Sequence, residues 1–111
     1  MNKRAKGLRN KLKTQKYFEK LGYQVFNCEV NKICYFGGRL MAVHKDLAGA
    51  DLLCLSKDRN EIIFIQAKSN KTDMLDGKYE FEKYQFPDFV KRWVVRWPAR
   101  AKVPVILKCE L

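Results

Sequence analysis

The chain has 111 residues, 47% hydrophobic and 13% aromatic, which is enough for one folded domain and too short for a second. That composition excludes a disordered chain. With 23 Lys and Arg against 12 Asp and Glu, the formal net charge of +11 points to a polyanionic partner, nucleic acid before an anionic membrane. No apolar stretch approaches the roughly 20 residues needed to cross a bilayer.

Residues 1–6 carry charge without the apolar core of a secretory signal and read as the start of the domain. A helix is predicted from Lys3 or Arg4 to Leu21, closed by Gly22, with Leu8, Leu12, Tyr17, Phe18 and Leu21 inside it. Arg9, Lys13, Lys16 and Lys20 fall within about 60° of one another at about 100° per residue. This basic stripe suits phosphate contacts, which position a nucleic acid without reading its sequence. Residues 23–30 read as the first strand. Residues 31–45 read as a loop containing Gly37-Gly38-Arg39, in which glycine dihedrals would let Arg39 approach a nucleic-acid backbone. His44, the sole histidine, reads as a bystander. No Ser-His-Asp or Cys-His set is present, and Gly37-Gly38 is no phosphate loop.

Gly49-Ala-Asp-Leu-Leu-Cys-Leu and Glu61-Ile-Ile-Phe-Ile-Gln-Ala-Lys68 are the most informative stretches. Residues 51–56 and 61–67 are short apolar runs around a polar Lys57-Asp58-Arg59-Asn60 loop, the pattern of a β-hairpin. A loop centred between Asp58 and Arg59 sets Asp51 opposite Gln66, with Cβ atoms roughly 4.5–5.5 Å apart. Gln66 and Lys68 share a face because side chains alternate along a strand. Lys68 then faces Gly49, whose missing side chain leaves room for an ion or a phosphate. The continuous run from Ile62 to Ile65 reads as a strand buried on both faces. A glutamine and a lysine at its end are costly unless partnered.

Beyond Lys68, residues 69–76 leave the sheet, and residues 72–92 read as mainly helical with Pro87 in the first turn of a new helical segment. Tyr79, Phe81, Tyr84, Phe86 and Phe89 read mostly as core aromatics. Residues 93–97 and 103–109 read as closing strands joined by residues 98–102. Cys28, Cys34, Cys54 and Cys109 lack C-x-x-C spacing, which argues against zinc and for a reduced, intracellular setting.

Asp51, a spacer of 14 residues, then Gln66-Ala67-Lys68 at a strand end resembles the PD-(D/E)xK nuclease superfamily in its QxK form, as in Mrr-type restriction endonucleases. In size and charge the chain is most similar to archaeal and phage Holliday-junction resolvases. The diagnostic part is residues 46–69, while the order of elements fits over nearly the whole chain.

The resemblance implies a restriction-endonuclease-like α/β fold over residues 1–111, a central mixed sheet flanked by helices. It implies an Mg²⁺-dependent DNA endonuclease, with Mn²⁺ as a substitute, acting in the cytoplasm or another intracellular space. Asp51, Gln66 and Lys68 would be catalytic. Asp51, the Gln66 side chain and the Ala67 backbone carbonyl would hold the metal, and Lys68 would orient water and balance charge. Arg9, Lys13, Lys16, Lys20 and Arg39 would bind DNA. Cutting a four-way junction twice implies a homodimer. Two departures stand out. Gln66 replaces a carboxylate, and the stretch after Gly7 lacks the first-helix acid of such resolvases, leaving Glu19 or Asp46 as substitutes. Another small nuclease of this type, such as a nickase, restriction or repair enzyme, and an inactive DNA-binding relative are the alternatives.

Overall fold

The computed structural model describes residues 3–109, with the side chains of residues 3–6, 30–36 and 41–45 outside that description. The elements run α1 (Lys3–Lys20), β1 (Gln24–Asn27), β2 (Val30–Phe36), β3 (Arg39–Lys45), β4 (Leu52–Ser56), β5 (Glu61–Lys68), α2 (Lys71–Glu82), β6 (Lys91–Arg96) and β7 (Val105–Lys108). A mixed five-stranded sheet has the order β1-β4-β5-β6-β7, and β2 and β3 form a separate antiparallel pair.

The centre of the sheet is the β4–β5 hairpin. Its register runs from Leu52 opposite Ile65 to Ser56 opposite Glu61, as a turn centred between Asp58 and Arg59 requires. β5 then pairs in parallel with β6, so a crossover is needed, and α2 supplies it.

Alternation along β5 sends its side chains into two cores. Ile63 and Ile65 join Phe18, Leu52, Cys54, Trp93 and Val95 beneath α1. Phe64 faces the other way, where Met74 and Phe81 of α2 pack with Val94 and Phe86. Helix α1 closes in a Schellman motif, with the Tyr23 N–H on the Phe18 carbonyl (3.1 Å) and the Gly22 N–H on that of Glu19 (3.0 Å). Gly22 takes φ +97°, a conformation glycine adopts without strain.

Three expectations need correction. Residues 31–45 are a β-hairpin rather than a loop, because Gly37 (φ +57°) and Gly38 (φ +79°) form the two-residue turn that antiparallel strands favour. The expected strand 23–30 is broken after Asn27. Pro87 begins no helix, since Val90 N–H closes a turn on its carbonyl (3.0 Å). The aromatics of residues 79–89 also divide. Phe81 is buried and Phe86 partly so, while Tyr79, Tyr84 and Phe89 are exposed. Among the described residues no helix is long and apolar enough to cross a membrane.

Candidate active site

Helix α1 turns a polar face to the sheet. Asn10, Lys11 and Thr14 are buried, whereas Leu8 and Leu12 are 58% and 48% exposed. Burying polar groups requires partners, and each has one. Asn10 Nδ2 donates to Ser69 Oγ (3.2 Å), and the Thr14 hydroxyl donates to the Asn10 carbonyl (2.7 Å) while accepting from Trp97 Nε1 (2.9 Å). Lys11 Nζ lies 3.2 Å from Glu29 Oε2. These contacts bolt α1 across the end of the sheet where β4 begins and β5 stops.

Asp51 stands at that end, one residue before β4. A tight turn through Ala48 (φ +52°) and Gly49 (φ +79°) delivers it, with Asp46 Oδ1 accepting the Gly49 N–H (3.2 Å). Its backbone is held from both sides. The Asp51 N–H donates to the Ile65 carbonyl (2.8 Å), and the Asp51 carbonyl accepts from Cys28 (2.9 Å). Its carboxylate Oδ2 accepts the Ala67 N–H at 2.8 Å. Ala67 therefore meets Asp51 through its N–H.

A second carboxyl shares the place. β1 pairs Asn27 with Leu52, so the chain just beyond β1 arrives beside Asp51. There Glu29, set by its N–H on Asn27 Oδ1 (3.0 Å), hydrogen-bonds the Asp51 carboxyl. Burial first, then Glu29, raise the Asp51 pKa to about 7, against the pull of the Ala67 N–H and the Lys68 ammonium. The group that converges is thus Asp51, Glu29 and Lys68, with Lys11 behind Glu29.

Gln66 makes no hydrogen bond to this group. It is 2% exposed, and neither amide atom has a hydrogen-bond partner. Its amide lies under α2, where a methyl on Gly77 would come 2.8 Å from Oε1, and one on Gly49 would come 3.4 Å from Nε2. The space beside Gly49 is filled by Glu80, Tyr84 and Gln66, so it is not the open cradle expected for an ion or a phosphate.

Of the two proposed substitute acids, Asp46 is exposed and caps the turn before Asp51. Glu19 is exposed in the last turn of α1, about 12 Å along the axis from Lys11 at 1.5 Å per residue. Arg9, Lys13, Lys16 and Lys20 are exposed on α1, and Arg39 is exposed at the turn of the β2–β3 hairpin. The side chain of His44 lies outside the described residues. Sequence reading missed Glu29 and Lys11. The only signal for Glu29 was its place at the end of a strand, and its meaning depends on β1 pairing with β4 rather than with its sequence neighbour.

A divalent cation fits the carboxyl pair. Two part-buried carboxyls in hydrogen-bond contact cannot both ionise cheaply, and a cation between them removes that cost. Among the described residues no three His, Cys, Asp or Glu side chains gather as a metal set. One or two carboxylates, with water and substrate phosphate completing the shell, is the usual provision for Mg²⁺. No family model, curated protein or solved structure matches the chain.

Proposed function

We propose that the chain is a small metal-dependent DNA endonuclease of the PD-(D/E)xK type, cutting phosphodiesters at four-way junctions as a homodimer inside the cell. The observation that carries this reading is the meeting of Asp51, Glu29 and Lys68 at one end of the sheet in a chain of net charge +11. Asp51 and Glu29 would hold Mg²⁺, and Glu29 takes the part of the acid missing from the first helix. Bound there, the ion would polarise the phosphate and lower the pKa of water. Lys68 would orient the attacking water and offset the charge that builds on the phosphate as the new P–O bond forms and the ester bond breaks. The Ala67 N–H holds one oxygen of the Asp51 carboxylate, Oδ2, and Oδ1 would be the oxygen offered to the metal.

The test is cleavage of a four-way junction beside linear duplex and single strands of the same sequence. Paired, symmetric, Mg²⁺-dependent nicking of the junction is expected, with loss in Asp51→Ala and Lys68→Ala. Indiscriminate cutting would move the reading to a nickase, restriction or repair nuclease.

One observation favours a second reading, an inactive DNA-binding relative. Glu29 is already paired with Lys11, and Gln66 lies under α2 with no partner, so the site is neutralised without metal. The two readings separate on metal linkage. An ion bound only by the folded chain raises Tm, so the nuclease reading expects Mg²⁺ or Mn²⁺ to raise Tm in wild type and not in Asp51→Asn.

A further inference from the structure

A second feature lies beside this centre. Arg9, Asn10, Lys13, Ser69, Arg96 and Arg100 line a cavity of about 440 Å³ between α1 and the turn that joins β6 to β7. Four of these residues are cationic, and no acid lines the cavity. Charges of one sign around a small space repel, and a bound anion relieves that repulsion.

The cations are unequal. Lys13 is committed, its ammonium 3.2 Å from the Ala101 carbonyl and 4.4 Å from the centre of the Trp97 ring. The three guanidiniums are not. Among the described residues none of Arg9, Arg96 and Arg100 is in an ion pair. The Nε of Arg96 is buried with no hydrogen-bond partner, a donor without an acceptor. The walls are already fixed by the Asn10–Ser69 bond and by the Trp97–Thr14–Asn10 chain. Arg100 sits in the turn at φ +60°, a strained conformation for a residue with a side chain, next to the Ala101 N–H that closes on the Pro98 carbonyl (3.1 Å).

The cavity's place gives its use. β5 and β6 run parallel, and their last paired residues are Lys68 and Arg96. Adjacent strands lie about 4.8 Å apart, so the arginine of the cavity neighbours the lysine of the candidate active site. We propose that this pocket holds a backbone phosphate of the nucleic acid, adjacent to the phosphate presented to Asp51 and Lys68. The pocket rests on the nuclease reading for its orientation and not for its anion chemistry. Arg96 and Arg100 are its specific donors, with Arg9 at its rim. The remaining stripe cations, Lys16 and Lys20, lie outside it.

The test is fluorescence-anisotropy titration of a labelled four-way junction and a labelled duplex with the full chain, in EDTA, over a range of salt. Cutting plays no part there, so a failed cleavage assay and a failed pocket remain separate results. Arg96→Gln and Arg100→Gln are each expected to weaken binding about ten-fold and to reduce the salt slope by about one, as loss of a phosphate contact does. Arg96→Lys should recover part of the loss. Lys57→Gln removes the same charge in the exposed β4–β5 turn, at the opposite end of the sheet, and is expected to change binding by about two-fold or less. Equal weakening by Arg100→Gln and Lys57→Gln would overturn the pocket, since only net charge would then be at work. Inorganic phosphate is titrated in parallel. A phosphate affinity abolished by Arg96→Gln, with DNA affinity unchanged, would assign the cavity to a small free anion and overturn the nucleic-acid assignment. Melting curves confirm the fold of each variant, and Arg100, being exposed, tests the pocket even where Arg96 variants fail to fold.

Discussion

On the proposed nuclease reading, Gln66 is the residue at which stability and activity are set against each other. An amide buried without partners costs about 1–3 kcal/mol. Methionine has a similar volume and no such cost, so Gln66→Met is expected to stabilise the chain by about that amount. The same variant should lose cleavage if the amide serves the site when DNA and metal are bound. Urea denaturation and the junction assay read the two effects, and a lower urea midpoint would mean that the amide is satisfied in the folded chain. At the opposite end of the sheet, Glu61 accepts from the Tyr23 hydroxyl (2.7 Å) and pairs with Lys91. Chiefly through Lys91, this holds its pKa below the usual 4.5. A depressed carboxylate contributes stability that is present above about pH 4.5 and lost as pH falls through the lower folded-state value. Melting temperature followed from pH 6 down should therefore fall less steeply in Glu61→Gln than in wild type. Parallel curves would remove this contribution.

At the scale of elements, α2 lies close to the sheet because residue 77 has no side chain. An alanine there gains about 1 kcal/mol of helix propensity. Its methyl would also come 2.8 Å from Gln66 Oε1 and 3.0 Å from a Val94 methyl, both fully packed. Overpacking typically costs about 1–3 kcal/mol, so a net loss of up to about 2 kcal/mol is expected for Gly77→Ala by chemical denaturation. A more stable variant would show that α2 can move away from the sheet freely. The hairpin that positions Asp51 was legible in the sequence, because two apolar runs and a polar loop leave few registers, and the predicted Leu52–Ile65 pairing is the one found. The inner face of α1 was not. Leu8, Leu12 and Leu21 are exposed, while Phe18 and the polar residues Asn10, Lys11 and Thr14 turn inward. Apolar spacing identifies a helix, but it does not say which face a polar site will claim. The β2–β3 hairpin carried a readable signal in its Gly-Gly turn, and the polar residues interrupting its strands obscured it.

For the whole molecule, the decisive fact is which strand ends meet. Glu29 and Asp51 lie 22 positions apart in sequence and come together because β1 pairs with β4, bypassing the separate β2–β3 hairpin. No local pattern encodes that strand order, which is why the second carboxyl was invisible before the fold. The net charge acts at this scale too. DNA affinity should fall steeply and linearly in log[salt], because each neutralised phosphate releases counterions. Everything proposed for the chemistry turns on the Asp51–Glu29 pair. The most direct measurement is the initial rate of junction cleavage in Mg²⁺ by wild type and by Glu29→Gln, at matched DNA saturation. A rate lowered by about a hundred-fold or more, with junction affinity unchanged, is the expected result for removal of a group that holds the metal. Glu29→Gln cutting as fast as wild type, or wild type binding the junction without cutting it in either Mg²⁺ or Mn²⁺, would contradict it.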